Sequence, residues 1–577
     1  MKLLRLLAAA SLLAAFGQTA SPAAQQAMRA RQAPPLTIER VFDSPSLNGP
    51  VPRLPKLSQD GRYLALLRNR PNDLERYDLW LFDRDTGNWS MLVDSEKLGT
   101  GEAMSEAEKM QRERKGIVSL KGIVAYDWSA DNRTILVPLD DKLYLVGVDG
   151  SVRQIKGAGS GETLNPVLSE KGKYLSFLRD NRLWAGPVGG TMKPITPAEG
   201  KLVHWGEAEF VAQEEMARYT GYWWSPKDTR IAVERFDESP VEVLTRAAIG
   251  ATGTTTTQQR YPAAGTHNVL VALYVMDPNG AHKVKVDLGK NPDIYLTRVD
   301  WAPDGNMLYV QREDRGQTEL DMLAVDPATG HSRLLFAEKA APSHWINLSD
   351  DYKFLKDGSL IWWSERDGFG HLYRYADAHW TQLTNGPWGV EKLAGVDQDS
   401  HRLFFTGTRD DPLAAQVYSL DYLNPGEPQR LTDPAFANGA TMDKNGKSLL
   451  ISRSSPSQPP QDYLADQTGK RLTWVEENRL DASHPYAPYL ASHRLPTFGT
   501  IKSADGSTLY WKMITPPLEP GRRYPVFFEH YGGPTSQTVS KGWVSPLDEA
   551  LVHMGYIIFD VDNRGSPNRG ADFEKQI

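Results

Sequence analysis

A short motif recurs along the middle of the chain and restricts the folds that the chain can adopt. Each copy begins with a polar turn, often containing Asp, Asn or Gly, and continues into a strand-like segment of alternating apolar residues. Turns of this kind close tight hairpins, and the alternation directs one face of each strand into a core. The segments after the turns are Arg62–Leu67, Thr134–Val137, Tyr174–Leu178, Ile231–Glu234, Met307–Gln311, Leu360–Ser364, Leu403–Thr406 and Leu449–Ser452.

The spacing of these copies predicts a β-propeller. Consecutive copies are separated by roughly 40 to 75 residues, which fits four-stranded blades with loops of variable length. One blade has too little core to be stable alone, so the blades must close into a ring. A β-sandwich is the simpler all-β alternative, but it would not need so many similar hairpins. We therefore expect an all-β propeller of about eight blades over residues 38–490.

Two insertions interrupt the repeats. The segment Ser95–Lys115 is rich in Glu, Lys and Arg, which favours a short helix or arm. The segment Ala247–Ala264 is rich in Gly and Thr and is followed by polar residues, and we interpret it as a mobile loop.

Composition excludes several classes of function. The chain has 577 residues, more than one ordinary core accommodates, so two domains are expected. Its formal net charge of -7 and the absence of a Lys/Arg stripe between aromatic residues argue against a nucleic-acid partner. The sequence contains no cysteine, so neither disulfides nor a cysteine nucleophile is available.

The N-terminal residues 1–27 have the layout of a secretory signal peptide. Lys2 and Arg5 precede an apolar run from Leu6 to Phe16, and small residues follow. This run is shorter than the roughly 20 residues that span a bilayer, so we expect cleavage and no stable membrane anchor. The predicted location is periplasmic or secreted.

From about Thr497 the pattern changes to one typical of a parallel α/β sheet. Two strands flank the turn Asp505-Gly506. Two apolar strands follow, around Tyr524–His530 and Gly555–Asp562, and a helix is predicted between them around Asp548–Met554. We therefore expect a second domain to begin within residues 497–577.

One acidic pair stands out as a candidate binding site. Glu214 and Glu215 lie in the run Gln213–Arg218, just before the aromatic segment Gly221–Pro226. Two carboxylates held close together repel each other unless an ammonium or guanidinium group lies between them. In a peptide-handling enzyme, that ammonium would be the free N-terminus of the substrate. The alternative is a solvated acidic face, the usual interpretation of an isolated pair.

The whole run resembles the double-Glu motif of the dipeptidyl peptidase IV family, with Glu214 and Glu215 as the matching acids. The C-terminal segment, with Tyr531-Gly532-Gly533-Pro534 and Asn563-Arg564-Gly565, resembles the start of the α/β-hydrolase domain of the prolyl oligopeptidase family. This resemblance implies a propeller that covers the active site of a serine exopeptidase. Such enzymes release N-terminal dipeptides, generally X-Pro and less strongly X-Ala.

The resemblance also implies roles for individual residues. Tyr531 is expected to donate a hydrogen bond to the developing oxyanion, and Glu214 and Glu215 to bind the α-ammonium group. Either Arg112 or Arg114 is a candidate for contacting a substrate carbonyl, although a solvated charge run is the ordinary interpretation of such residues. The expected partners are peptides with a free N-terminus and, in the complete protein, a second copy forming a homodimer. No metal or organic cofactor is expected.

The catalytic triad expected from the resemblance has no counterpart in the sequence. No Gly-x-Ser-x-Gly motif occurs, and no Asp or His lies at a position that the family's triad would occupy. We therefore expect a polypeptide truncated before the catalytic serine, inactive as written, with apolar surface exposed on its last sheet.

Two alternatives follow from the same observations. The first is a non-catalytic propeller that binds peptides. The second is an oligopeptidase or acylaminoacyl peptidase of the same fold, which has no substrate ammonium to neutralise the two carboxylates. A metallopeptidase of the His-Glu-x-x-His type is not expected, because that motif is absent.

Overall fold

The computed structural model describes residues 34–99, 101 and 104–577. The predicted signal peptide, residues 1–27, lies outside the described residues. Within residues 53–476, eight successive sheets have four main strands each, connected in antiparallel order. Each segment predicted from the repeated motif corresponds to the second main strand of one of these sheets.

Sheets 1 to 4 come from the first half of the chain, and a two-stranded hairpin is inserted in sheet 4. Their strands are β1 (Arg53–Leu57), β2 (Tyr63–Arg70), β3 (Asp73–Asp83), β4 (Asn88–Val93) and the added β5 (Lys121–Gly122) in sheet 1; β6 (Asp127–Trp128), β7 (Thr134–Leu139), β8 (Lys142–Gly147) and β9 (Val152–Gln154) in sheet 2; β10 (Leu164–Leu168), β11 (Tyr174–Arg179), β12 (Arg182–Pro187) and β13 (Lys193–Pro194) in sheet 3; and β14 (Val203–Trp205), β15 (Tyr222–Trp224), β16 (Ile231–Asp237), the hairpin β17 (Val243–Gly250) and β18 (Gly253–Arg260), β19 (Leu270–Met276) and β20 (Val284–Lys285) in and beside sheet 4.

Sheets 5 to 8 are more regular and carry no inserted helices. Their strands are β21 (Ile294–Trp301), β22 (Leu308–Asp314), β23 (Glu319–Val325) and β24 (Ser332–Lys339) in sheet 5; β25 (Lys353–Phe354), β26 (Leu360–Ser364), β27 (His371–Ala376) and β28 (His379–Gln382) in sheet 6; β29 (Val390–Asp397), β30 (Arg402–Gly407), β31 (Gln416–Asp421) and β32 (Gln429–Arg430) in sheet 7; and β33 (Ala437–Met442), β34 (Leu449–Ser455), β35 (Gln458–Ala465) and β36 (Arg471–Glu476) in sheet 8.

Apolar packing joins each sheet to the next and the last sheet to the first. Buried residues of neighbouring sheets form a series of clusters that runs from sheet 1 to sheet 8. In the closing cluster, Leu64 and Leu66 of β2 pack with Leu450 of β34 and Leu464 of β35. The ion pair between Arg68 and Glu476 spans the same junction. This closed ring of sheets is a β-propeller architecture.

The described part of the chain contains six α-helices. They are α1 (Ile38–Phe42), α2 (Ser95–Leu98), α3 (Glu106–Arg114), α4 (Phe210–Glu214), α5 (Pro546–His553) and α6 (Ala571–Glu574), with short 3-10 helices at Lys156–Ala158 and Ala487–Ser492. Helices α2 and α3 confirm the helical alternative predicted for Ser95–Lys115. None of the described helices is long and apolar enough to cross a membrane.

The prediction of a loop over Ala247–Ala264 was wrong. This region instead forms most of the antiparallel hairpin of β17 and β18, in which Gly250 pairs with Gly253 across a two-residue turn. The run Thr254–Thr257 consists of β-branched residues, which favour strands, so composition alone was a poor guide to the secondary structure. The two strands are largely exposed, and Ile249 is 84% exposed.

The last residues form a separate sheet with mixed strand directions. Its order is β37 (Thr497–Lys502), β38 (Thr508–Ile514), β40 (Ile557–Val561) and β39 (Val526–Glu529). Strands β39 and β40 are parallel, whereas β38 is antiparallel to β40. Helix α5 falls at the predicted place, beginning after Ser545, which caps it, and packing on the sheet through Val552.

This C-terminal sheet is held against the ring and against the N-terminal segment. The Lys541 N–H donates to the Leu413 carbonyl at 2.9 Å, and the Ala571 N–H to the Gly368 carbonyl at 2.8 Å. The Leu36 N–H donates to Nδ1 of His553 at 3.0 Å. Val526, Phe527 and Phe528 of the edge strand β39 are exposed, as predicted for this sheet.

We predict that shortening a side chain in the closing cluster destabilises the whole ring. Leu464→Ala removes a side chain that is 1% exposed between sheets 8 and 1, which should cost about 2–5 kcal/mol of unfolding free energy. Leu472→Ala, at a half-exposed position on the same sheet, is the matched control and should change little. Urea denaturation followed by tryptophan fluorescence measures both. Equal midpoints for the two variants would contradict the closed ring.

Candidate functional site

The acidic pair lies at the C-terminal end of the short helix α4. Glu214 is the last residue of the helix and Glu215 is its C-cap, and both are exposed. The C-terminal end of a helix carries partial negative charge, so two carboxylates there are electrostatically unfavourable. A cation beside the two carboxylates would therefore stabilise this end of the helix, as the sequence analysis also indicated.

Helix α3 supplies one such cation. Nη1 of Arg114 donates to Oε1 of Gln213 at 2.8 Å, and Nε of Arg114 lies 3.8 Å from Oε2 of Glu214. The Arg114 guanidinium also lies over the ring of Phe210, 4.9 Å from its centroid. The structure therefore brings Arg114 and Glu214 together, as their assignment to one site requires.

Arg112, on the same helix, contacts other groups than Arg114 does. Its Nη2 donates to Oε1 of Glu108 at 2.6 Å, and its Nη1 donates to the Leu120 carbonyl at 3.0 Å. With Gln111 and Lys115 it lines a cavity of about 780 Å³ among the first strands of several sheets. Arg112 and Arg114 thus point to different spaces, and Arg114 alone of the two contacts the acidic pair.

The cavity wall contains a lysine with an altered pKa. Burial lowers the pKa of Lys115 to about 8, helped by the positive charge of Arg112 and opposed by Glu108. The Lys115 ammonium lies over the ring of Tyr219, 4.4 Å from its centroid. Tyr219 immediately follows the run Gln213–Arg218. The C-terminal end of α3 therefore contacts residues on both sides of the acidic pair, Gln213 through Arg114 and Tyr219 through Lys115.

The start of helix α4 is fixed by Glu209, which sequence reasoning missed. Its carboxylate accepts from the Val211 N–H at 2.7 Å and from the Ala212 N–H at 2.8 Å. Burial raises the pKa of Glu209 to about 7, with a further contribution from Glu234. Glu209 directly precedes the helix, but the usual N-cap residues are Ser, Thr, Asp and Asn, so no standard signal in the sequence marked it.

The chain turns sharply just after the pair, and two arginines bind near this turn. Arg218 belongs to the motif that the sequence analysis singled out, whereas Arg298 was not predicted. Ala217 has φ of 51°, in the left-handed region that most residues avoid. Arg218 pairs with the buried Glu234 and donates to the Leu296 carbonyl at 2.9 Å. Nη2 of Arg298 donates to the Met216 carbonyl at 2.9 Å. Arg298 is 82 residues from Met216, and no sequence signal connects them.

A histidine with a raised pKa, His204, lies on strand β14 of sheet 4. Nδ1 of His204 donates to Oε2 of Glu207 at 2.8 Å, and its Nε2 lies 3.8 Å from Oε1 of Glu238. Burial opposes protonation, but the hydrogen bonds and charges of these two glutamates raise the pKa of His204 to about 9. The ring also stacks on Phe236.

Tyr531 belongs to the C-terminal region, whereas the glutamates lie at the end of helix α4. It follows strand β39 in a loop and is 62% exposed. A Cβ atom added to Gly533 would lie 2.9 Å from Cε1 of Tyr531, so the ring position depends on glycine there. Among the described residues, no group of three or more His, Cys, Asp or Glu side chains is arranged to hold a metal ion.

Comparison with known proteins gives the family. Residues 123–460 match the family described as "Dipeptidyl peptidase IV (DPP IV) N-terminal region", which is more than half of the chain. This polypeptide therefore belongs to the dipeptidyl peptidase IV N-terminal region family.

Individual relatives carry related names. Dipeptidyl peptidase 8 of Mus musculus is 27% identical over an alignment of 594 residues, which covers 84% of this chain and 66% of the relative. A probable dipeptidyl peptidase 4 of Aspergillus flavus is 24% identical, over 71% of this chain and 56% of the relative. The chain thus spans between about half and two thirds of the length of these relatives.

Solved structures share the fold. The crystal structure of Porphyromonas gingivalis dipeptidyl peptidase 4 superposes with a TM-score of 0.78 at 23% identity, covering 94% of this chain and 76% of that one. A putative dipeptidyl aminopeptidase IV from Bacteroides ovatus gives a TM-score of 0.70 at 23% identity, with 92% and 76% coverage.

We predict that stability around sheet 4 falls as pH rises through the titration of His204. The folded-state pKa of about 9 exceeds the ordinary value of 6.5, so the stabilisation is complete below about 6.5 and disappears as pH passes 9. The wild type should lose on the order of 2 kcal/mol of unfolding free energy across this window, relative to His204→Gln. Urea midpoints at intervals from pH 6 to 10 measure the difference.

The exposed His282, which pairs with Asp277, provides the control for this prediction. The variant His282→Gln should follow the pH dependence of the wild type. If His204→Gln also follows it, His204 is not the group responsible.

Proposed function

We propose that this chain binds the free N-terminus of peptides and that the protein is a serine-type dipeptidyl peptidase releasing X-Pro or X-Ala dipeptides. The observation that carries the proposal is the pair of exposed carboxylates at the C-terminal end of α4. The names of the relatives support the class of activity. Since the 577 residues contain no Gly-x-Ser-x-Gly motif, we expect this polypeptide to bind peptides without hydrolysing them.

The charges at the pair favour an ammonium ligand. Arg114 approaches Glu214, whereas no ion pair to Glu215 is present among the described residues. The site therefore retains negative charge that an α-ammonium group can neutralise while donating up to three hydrogen bonds. An N-blocked peptide has no such charge, so this site favours an exopeptidase over an acylaminoacyl peptidase or an endo-acting oligopeptidase.

Of the two candidate arginines, we assign the contact with a substrate carbonyl to Arg114. Its guanidinium is already within 4 Å of Glu214, and the first carbonyl of a peptide lies close to its α-ammonium group. Arg112 is held by Glu108 and the Leu120 carbonyl on the cavity side of α3.

The same proposal gives a structural role to each of the two sheet regions. The eight sheets of residues 53–476 are the blades of one propeller, and the C-terminal sheet contains the first strands of an α/β-hydrolase domain. The parallel pairing of β39 with β40 supports the second assignment. Tyr531 after β39 would then donate its hydroxyl to the oxyanion. We further propose export to the periplasm or medium, and a homodimeric assembly.

We predict that neutralising either glutamate weakens the binding of free-amine peptides. Glu214→Gln and Glu215→Gln should each raise the Kd of Ala-Pro-Ala by about tenfold or more, because a charge-assisted hydrogen bond is lost. Wild-type protein should bind N-acetyl-Ala-Pro-Ala far more weakly than the free peptide. Isothermal titration calorimetry of this chain measures all of these constants.

Glu170→Gln is the matched control for the two glutamate variants, since Glu170 has similar exposure and pairs with one cation, Lys444. Its Kd should equal that of the wild type. Equal affinity of the wild type for free and acetylated peptides would refute the proposal. The protein would then bind N-blocked substrates or no peptide at all.

We also predict that the two arginines differ in their effect. Arg114→Lys should weaken Ala-Pro-Ala binding by about three- to tenfold, because lysine cannot keep the planar contacts to both Gln213 and a peptide carbonyl. Arg112→Lys should stay within about twofold of the wild type. A larger loss for Arg112→Lys, measured by the same calorimetry, would reverse this assignment.

A further inference from the structure

The main chain directly after the acidic pair is held by an arginine from another sheet. Met216 follows Glu215, and its carbonyl accepts a hydrogen bond from Nη2 of Arg298 at 2.9 Å. Met216 itself is buried, and it packs in one cluster with Ala208, Ala212 and Tyr295. The carbonyl and the side chain of Met216 are therefore both fixed from outside the helix.

An irregularity in strand β21 directs Arg298 to this position. The pairing between β21 and β22 shifts register between Leu296 and Arg298, with the fully buried Thr297 between them. A bulge of this kind places one extra residue on a strand and changes the direction of the side chains that follow. The Leu296 carbonyl, at the same irregularity, accepts the hydrogen bond of Arg218. Both arginines that hold the turn after Glu215 therefore meet at one bulge.

The guanidinium of Arg298 is itself held in one orientation. Nη1 donates to the Thr297 carbonyl at 2.9 Å, and Nε pairs with the carboxylate of Asp350. The side chain of Arg298 is 12% exposed, whereas that of Asp350 is 70% exposed. Asp350 thus approaches Arg298 from the solvent side and leaves Nη2 directed at Met216.

We propose that Arg298 is a positioning residue that fixes the spacing and direction of Glu214 and Glu215. The inference rests on the proposed function, because it concerns the same ammonium site. An isolated helix of five residues is unstable and cannot orient its own C-terminal side chains. Glu209 anchors the beginning of α4, and Arg298 anchors the chain where the helix ends. A pre-ordered pair binds a cation without the entropic cost of ordering two flexible side chains.

The test compares peptide binding by variants of the full 577-residue chain. Arg298→Gln removes the charge and the forked geometry, and Arg298→Lys restores the charge alone. Arg409→Gln is the matched control. Arg409 also donates to a backbone carbonyl, that of Pro428, and pairs with an exposed carboxylate, that of Glu427, but it lies beside sheet 7. Calorimetry gives Kd for Ala-Pro-Ala and for N-acetyl-Ala-Pro-Ala. The ratio of the Kd of the acetylated peptide to the Kd of the free peptide reports ammonium recognition separately from general peptide binding.

The expected result is a ratio reduced about tenfold by Arg298→Gln, partly recovered by Arg298→Lys and unchanged by Arg409→Gln. A loss that reflected only damaged packing would weaken both peptides equally and leave the ratio unchanged. An unchanged ratio for Arg298→Gln, with discrimination intact in the wild type, overturns the positioning role. A wild type that does not discriminate between the peptides instead refutes the proposed function.

A second variant keeps the test decisive if Arg298→Gln does not fold, which thermal unfolding will reveal. Asp350→Asn changes an exposed side chain and leaves the arginine in place, but it replaces the ion pair that orients the guanidinium with a weaker neutral hydrogen bond. The ratio should fall by about threefold. Discrimination equal to that of the wild type in a folded Asp350→Asn variant would count against the proposal.

Discussion

The packing of sheet 8 against sheet 1 is the contact on which the rest of the structure depends. Each sheet is two-sided and has apolar residues on both faces, so none of them is stable without a neighbour on each side. Leu64, Leu66, Leu450 and Leu464 complete the series and leave no sheet of the ring with an uncovered face. Residues from the first strands of several sheets line a common cavity, so parts of the chain that are distant in sequence come close together.

The contacts around the acidic pair depend on the closure of this ring, because residues from distant parts of the chain make them. Arg114 lies 99 residues before Gln213, and Arg298 lies 82 residues after Met216, yet both bind the few residues around the glutamate pair. Beneath the exposed pair is a buried layer in which Arg218 neutralises Glu234. Burial raises the pKa of Glu209 to about 7, which limits the negative charge held in that layer. The unneutralised charge therefore lies at the surface, where a ligand can reach it.

The sequence predicted the regular part of this molecule well. Polar turns followed by alternating strands marked the second main strand of all eight sheets, since such hairpins are local in sequence. The capped segment around Pro546–His553 was found for the same reason. The hairpin of β17 and β18 was missed, because glycine and threonine were interpreted through composition and not through the β-branched character of the threonines.

Within the candidate site, the sequence predicted the residues that belong to one local motif and missed a residue that is distant in the chain. Glu214 and Glu215 were found because a compact motif carries them. Arg298 was not, because its role arises from a strand bulge and from ring closure, neither of which leaves a local pattern. Sequence also left Arg112 and Arg114 as equal candidates, and only the packing of α3 on α4 separated the spaces that they face. Tyr531 and the other assigned roles stay predictions.

The most direct test of the account is a crystal structure of this chain with Ala-Pro-Ala bound. If the proposed site is right, the α-ammonium nitrogen of the peptide lies about 3 Å from carboxylate oxygens of both Glu214 and Glu215. The first peptide carbonyl then faces Arg114. A peptide bound instead in the central cavity beside Arg112 and Lys115, with its ammonium away from the glutamate pair, would contradict it.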